Sequence, residues 1–371
     1  MDPRNIQGLQ RVLDRWLNFA PCPGVNVSIR DARLGDWDAA SGLADVDSVR
    51  SMPVAAPCHA YSITKTFTAI RVLQLVQAGE LRLDAPIAEI LAEPPIGGLD
   101  RGVTLRRLLS HTAGIPNYTA LPDYLPAVKA SPATPWTDAQ VLAATCTGAP
   151  DFAPGEGWNY SNTGYLLLRL AIERAGRASF ADQIRRDIAT PLGLAHTWAA
   201  GHVARAGDEP ALVPGYCRSL GDTGEMENVV GRYHPGWCLT GLVCSTTPDI
   251  ARLYDLLLGG QVLGGEALAD MTTWTAVGRK AADAPGPRWR GGRPFYVEPG
   301  YGLGLMIDRG WPHGGLYAHG GDGPGFNTWA MHLPAFAGRA LTIAIFCNAT
   351  LPTHPYSLMR GLLDYLAANP N

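Results

Sequence analysis

Lysine is nearly absent from this chain. Of 30 basic residues among 371, only Lys65, Lys129 and Lys280 are lysines, and the rest are arginines. Long apolar runs are missing too: no stretch approaches the roughly 18 residues a spanning helix needs, so no membrane span is expected. Nor is there an excess of charge. A net charge of -3 and a pI near 6.3 give no electrostatic case for a nucleic-acid or acidic-membrane partner. The chain has no His-Glu-x-x-His, no Cys-x-x-Cys and no clustered Cys/His, which speaks against a metal site. No phosphate-cradling Gly-x-x-x-x-Gly-Lys-Ser/Thr loop occurs, and the glycines at 320–325 do not match a dinucleotide fingerprint, so no cofactor is expected. The seven cysteines are odd in number and scattered, which suits free thiols in a reducing cytoplasm; Cys217 with Cys238 is the one pair that invites a bridge. The N-terminus, Met1-Asp2-Pro3-Arg4-Asn5, lacks the basic start, apolar core and cleavage site of a secretory signal, so a cytoplasmic location is expected.

Against that background one lysine stands out. Ser62-Ile63-Thr64-Lys65 sets an amine three residues after a serine. Arginine is locked in its charged form, whereas a buried lysine can lose its proton and act as a base. Residues i and i+3 share a helix face, so the amine can stand beside the hydroxyl and activate it without a histidine. The pair opens an apolar-periodic run, Phe67, Ile70, Leu73, Leu75 and Val76, ended by Gly79. That spacing predicts a buried helix with Ser62 in its first turn, where the helix dipole favours a developing oxyanion.

Strand patterns lie at both ends of the chain and helical patterns between them. Helix is expected at about 5–19, strands at 24–30 and up to Gly42, and helices at 105–109, 139–144, 165–174, 181–188 and 248–258. Strands return at 301–307, 316–319, 326–333 and 341–347, before a closing helix at about 355–368. The reading is an α+β fold: residues 1–61 and 291–371 build a sheet lobe, and 62–290 form a mainly helical lobe inserted into it. A site in the cleft between them would be walled by the long Pro/Gly-rich, aromatic segments 115–137, 200–240 and 281–300, which carry Tyr118, Tyr124, Trp136, Tyr216, Tyr233, Trp237, Trp289, Phe295 and Tyr296. With Trp158 these aromatics suit an apolar acyl pocket.

Two further motifs carry chemistry. Tyr160-Ser161-Asn162 sits at a helix entrance, and a phenol beside the Lys65 ammonium would have its pKa lowered toward that of a useful proton shuttle. His319-Gly320-Gly321 ends a strand, and its glycines let a substrate backbone approach the strand edge.

Ser-x-x-Lys, Tyr-x-Asn and His-Gly-Gly, in that order, resemble the serine β-lactamase-like superfamily, in the branch of class C β-lactamases, D-alanyl-D-alanine carboxypeptidases, serine esterases and D-aminopeptidases. Connecting text is similar as well: Leu108-Leu109-Ser110-His111-Thr112-Ala113-Gly114-Ile115-Pro116, Pro191-Leu192-Gly193-Leu194, Gly302-Leu303-Gly304, and Gly321-Asp322-Gly323-Pro324-Gly325-Phe326. The resemblance covers about residues 20–350 and implies a β-lactamase/transpeptidase-like fold, an antiparallel sheet flanked by helices. It implies Ser62 as nucleophile, with Lys65 and Tyr160 sharing the acid–base work and Asn162 orienting Lys65 and the substrate carbonyl. It further implies an oxyanion hole from the backbone N–H groups of Ser62 and Asp322, with Gly321 before it and His319 lending polarity opposite Tyr160.

Where relatives acting on penicillins or D-alanyl peptides carry a hydroxyl that helps grip a carboxylate, this chain has Gly320. The His-Gly-Gly triad looks more like the D-aminopeptidase and esterase members. The expected function is therefore a serine hydrolase acting on a small-molecule ester or amide, D-amino-acid amides included. A β-lactamase or carboxypeptidase ranks second, beside an acyltransferase using the same acyl-serine and a catalytically silent binding relative. A Ser-His-Asp mechanism through His111 is set aside, because Ala60-Tyr61-Ser62-Ile63-Thr64 is not a Gly-x-Ser-x-Gly elbow; His111 is expected to brace its loop. Neither substrate identity nor oligomeric state is set by any motif.

Overall fold

The computed structural model describes residues 1–92, 96, 99–200, 212–218, 220, 224–277, 296–352 and 355–370. In chain order the strands are β1 (Gly24–Asp31), β2 (Trp37–Asp45), β3 (Arg50–Ser51), β4 (Cys58–His59), β5 (Trp198–Ala199), β6 (Tyr216–Cys217) and β7 (Glu227–Asn228). They continue as β8 (Val243–Ser245), β9 (Thr275–Ala276), β10 (Pro299–Tyr301), β11 (Met306–Asp308), β12 (Leu316–Gly323), β13 (Phe326–Phe336) and β14 (Arg339–Cys347). Nine of them make one antiparallel sheet in the order β3-β2-β1-β14-β13-β12-β11-β10-β9. β4, β8 and β5 form a small second sheet, and β6 pairs with β7.

Period-two alternation sets the layers of the large sheet. Val25, Val27 and Ile29 of β1 stand in register with Cys347, Ile345 and Ile343 of β14, and beyond them lie Trp329 and Met331 of β13. That face is covered by the helices Pro3–Leu17 and Tyr356–Ala368 through Leu9, Leu13, Leu358, Leu362 and Leu366. The first helix starts where Asp2 accepts from Arg4 N at 2.7 Å and Pro3 takes a position whose N–H needs no partner. The opposite face packs on helix Thr247–Leu258 and merges with the core of the helical region.

The two chain ends supply β1–β3 and β10–β14, while most helices come from between them. Two elements of the expected helical stretch nonetheless join the sheet: β9 pairs with β10, and helix Thr247–Leu258 packs on β1 and β14. The expected boundary at 290/291, with Lys280, Trp289 and Phe295, lies outside the described residues. Cys217 and Cys238 are not bridged, and all seven cysteines are free thiols. No described helix is long and apolar enough to cross a membrane.

Residues 301–307, expected as one strand, are split. Gly302 N donates to Leu305 O at 2.8 Å, which closes a turn and folds β10 back on β11. Within that turn Gly304 adopts φ +73°, which L side chains rarely adopt. It also lies against helix Thr64–Gln77, where a Cβ would stand 2.6 Å from Lys65 O and 2.6 Å from the Ala69 Cβ. This helix is enclosed on nearly every side, so its hydroxyls need internal partners. Thr66 Oγ1 donates to Gly304 O (2.9 Å), Thr68 Oγ1 donates to Thr64 O (3.1 Å), and Thr64 Oγ1 accepts from Val243 N (2.9 Å). Lys65 is thus placed on a rigid element. Gly304→Ala is expected to cost on the order of 2 kcal/mol or more through overpacking and backbone strain, read as a lower urea midpoint at unchanged m-value.

Candidate active site

Ser62 lies in a one-turn 3₁₀ helix, Tyr61–Ile63, just ahead of helix Thr64–Gln77 rather than inside its first turn. The tighter turn follows from Tyr61, whose φ of +46° bends the chain into it. The i,i+3 relation survives the change. Lys65 Nζ stands 3.3 Å from Ser62 Oγ and donates to Asn162 Oδ1 at 2.7 Å, with the lysine 1% exposed.

Asn162 begins helix Asn162–Gly176, capped by Ser161 Oγ accepting from Gly164 N at 3.2 Å. Its amide is oriented by contacts on both ends. Asn162 Nδ2 donates to Asn117 Oδ1 (3.2 Å) and Thr119 Oγ1 (3.1 Å), and Asn162 N donates to Asn117 Oδ1 (3.1 Å). Its Oδ1 is therefore left to face Lys65. His111 holds the same loop from the other side: its Nδ1 accepts from Ser161 N at 3.1 Å and its carbonyl accepts from Asn159 N at 3.1 Å. An accepting Nδ1 means that the ring is neutral with its hydrogen on Nε2. Burial, then the nearby Lys65 and His319, hold His111 well below its ordinary pKa.

Tyr160 packs under the amine, with Nζ 4.8 Å from the ring centroid, and its hydroxyl hydrogen-bonds Ser62. The expectation that Lys65 lowers the Tyr160 pKa does not hold. Burial pushes the phenol well up in spite of its bond to Ser62. Lys65 itself is brought down to about 7, chiefly by burial, with only the Cys238 thiol opposing. An amine that gives up its proton near pH 7 carries no charge in the higher pH range where a phenol would ionise, so it does not stabilise a phenolate and Tyr160 stays a phenol.

His319 is wholly buried and does not line the cavity. Its Nδ1 lies 2.7 Å from Gly320 O, which can only accept, so Nδ1 carries the hydrogen. Nε2 is hydrogen-bonded to the Tyr301 hydroxyl at 2.8 Å. Tyr301 packs edge-on against both Tyr160 and His319, so the histidine's polarity reaches Tyr301 first. Gly321 lies against the serine turn, where a Cβ would be 2.2 Å from Ala60 O and 3.0 Å from Ser62 N. Only a residue without a side chain fits, and Asp322 follows at the cavity wall.

The cavity measures about 360 Å³. Ser62, Lys65, Asn162 and Asp322 line it; His319 and Gly321 stand behind that surface, and half-buried Tyr160 borders it through its hydrogen bond to Ser62. Its walls come from two of the long segments, through Tyr118, Thr119, Tyr124, Leu125 and Val128 of the first and Leu220, Tyr233, Cys238 and Thr240 of the second. Tyr118 and Tyr124 donate their hydroxyls to Trp237 O, each at 3.2 Å, so both polar tips are engaged within the protein. Trp136 and Trp237 pack behind Tyr124. Trp158 sits beside His111 and Tyr301, whereas Tyr216 belongs to the sheet core and Tyr296 packs against that core. Among the described lining residues Lys65 is the only cation and Asp322 the only carboxylate. No described cluster of His, Cys, Asp and Glu could hold a metal ion.

A family model described as Beta-lactamase matches residues 9–367. Penicillin-binding protein 4* of Bacillus subtilis (strain 168) is 25% identical over 319 residues, covering 82% of this chain and 64% of that protein. Esterase EstB of Burkholderia gladioli is 32% identical over 173 residues, 44% of either chain. The chain thus matches less than two thirds of the length of these two relatives. Among solved structures, a D-stereospecific amidohydrolase from Streptomyces sp. superposes with a TM-score of 0.78 at 27% identity, covering 96% of this chain and 97% of that one.

Asn117 and Thr119 had no motif to mark them, yet they decide which end of the Asn162 amide meets Lys65. Asn117→Ala removes the acceptor for two of those bonds. It is expected to slow labelling of Ser62 by a fluorophosphonate roughly tenfold, while Asn117→Asp, which keeps the accepting oxygen, slows it less.

Proposed function

The chain belongs to the β-lactamase family, and from there we propose that it is a serine hydrolase that cleaves an uncharged ester or amide through an acyl-enzyme on Ser62. The observation that carries this reading is the Lys65 amine, buried, within 3.3 Å of Ser62 Oγ and with its pKa brought down to about 7. A neutral amine there takes the Ser62 proton as Oγ attacks the carbonyl carbon. The oxyanion that forms is met by the backbone N–H groups of Ser62 and Asp322. Tyr160, kept protonated by burial, gives its hydrogen to the leaving amine or alkoxide and is restored by the proton held on Lys65. In the second half water yields its proton along the same groups, and the serine oxygen recovers its hydrogen.

The lining supports an uncharged, apolar substrate. A carboxylate beside the scissile bond would meet no arginine among the described lining residues and no permanent cation at Lys65. That ranks aryl or alkyl esters and D-amino-acid amides above penicillins and D-alanyl-D-alanine. The seven free thiols support a reducing compartment, and we place the enzyme in the cytoplasm.

A panel of p-nitrophenyl esters, D-amino-acid amides and a chromogenic cephalosporin, run on wild type and Ser62→Ala, tests the assignment. Turnover of the first two groups, lost in Ser62→Ala, is expected; preferred hydrolysis of the cephalosporin contradicts it. Lys65→Arg keeps the charge but cannot give up its proton, so kcat/KM should fall on the order of a hundredfold or more. The base works as the neutral amine, so kcat/KM should rise with pH through about 7 and level off above it.

A further inference from the structure

The two N–H groups facing the oxyanion come from segments far apart in the chain, the turn at Ser62 and the strand at Asp322, with no covalent link near either. Something must set their separation. Thr328 of β13 stands directly opposite Gly321 in the register of β12 and β13 and is wholly buried. Its single hydroxyl hydrogen lies between two carbonyls, with Oγ1 3.0 Å from Ala60 O and 3.1 Å from Gly321 O. Ala60 O precedes the serine turn, and Gly321 O belongs to the peptide that carries the Asp322 N–H. Without that hydrogen two carbonyl oxygens would face one another across the seam with nothing to draw them together. A second tie, Tyr61 O–H donating to Pro324 O, closes the outer end of the same seam.

We propose that Thr328 is the positioning residue for the oxyanion hole, its hydroxyl clamping the serine turn to β12 so that the Ser62 and Asp322 N–H groups converge on one point. This rests on the serine-hydrolase reading. Thr328 touches no substrate, since Gly321 and the turn stand between it and the cavity. Its effect belongs to the transition state, in which the carbonyl oxygen gains charge and bond length, and not to ground-state binding in the apolar pocket.

The test compares Thr328→Val, which keeps the shape, with Thr328→Ser, which keeps the hydroxyl, using a p-nitrophenyl ester and an arylboronic acid that forms a tetrahedral adduct on the serine. Thr328→Val is expected to lower kcat roughly ten- to a hundredfold with KM within about twofold, because small misplacements of such donors are costly. Boronic-acid affinity should fall by the same factor as kcat, and Thr328→Ser should recover both to within about threefold. If the valine protein does not fold, Thr328→Ala must show the same kcat and boronate losses. Unchanged kcat in a folded hydroxyl-less variant overturns the proposal, as does a loss carried by KM or one that serine fails to rescue. Ser62→Ala keeps the two failures apart: full turnover in that variant sinks the hydrolase reading itself, whereas no turnover there and an indifferent Thr328→Val sink only the clamp.

Discussion

An amine enclosed in protein is the constraint on which the site is built. Water stabilises an ammonium far better than a protein interior does, so enclosing Lys65 weakens its hold on the proton until it titrates near neutrality. The same enclosure acts in reverse on Tyr160, whose charged form is the phenolate, and drives its pKa up. One cause, burial, therefore separates a base from an acid within a few ångströms. The scarcity of lysine elsewhere fits this division: charge at the surface is left to arginine, which cannot take part in proton transfer at these pH values.

Keeping a neutral amine useful requires that its partners stay put. Helix Thr64–Gln77 is anchored by threonine hydroxyls to Gly304 and β8. The Tyr160–Asn162 loop is held by His111 on one side and by Asn117 and Thr119 on the other. The strand that follows His319 is pressed against the serine turn so closely that Gly321 can carry no side chain. His319 lies behind the cavity, with one ring nitrogen bonded to its own strand and the other to Tyr301. Asp322, the one carboxylate among the described lining residues, follows directly on the Gly321 contact and accepts a hydrogen bond from Asn327 Nδ2.

Family, fold class and most sheet strands were legible because their signals are local. Ser62 and Lys65 lie three residues apart, the strands alternate with period two, and the flanking phrases are contiguous text. The misreadings share another cause. The strand expected at 301–307 is broken by a turn whose need for Gly304 arises from helix Thr64–Gln77, more than two hundred positions away in the chain. The Tyr160 pKa was judged from a neighbouring charge, yet the charge is itself removed by burial, which no spacing reveals. Asn117, Thr119 and Thr328 act through single hydrogen bonds made across the fold, Thr328 to a carbonyl 268 positions distant, and such contacts leave no trace in local pattern.

The central claim is that burial lets Lys65 lose its proton near neutral pH, far below an ordinary lysine. With only three lysines in the chain, ¹³C-labelled lysine allows each side chain to be followed by NMR, and Lys65→Arg assigns the signal that disappears. The account predicts that this resonance titrates with a midpoint near 7 in the folded protein. A midpoint near the ordinary lysine value of about 10.4 would contradict it, and with it the identity of the base.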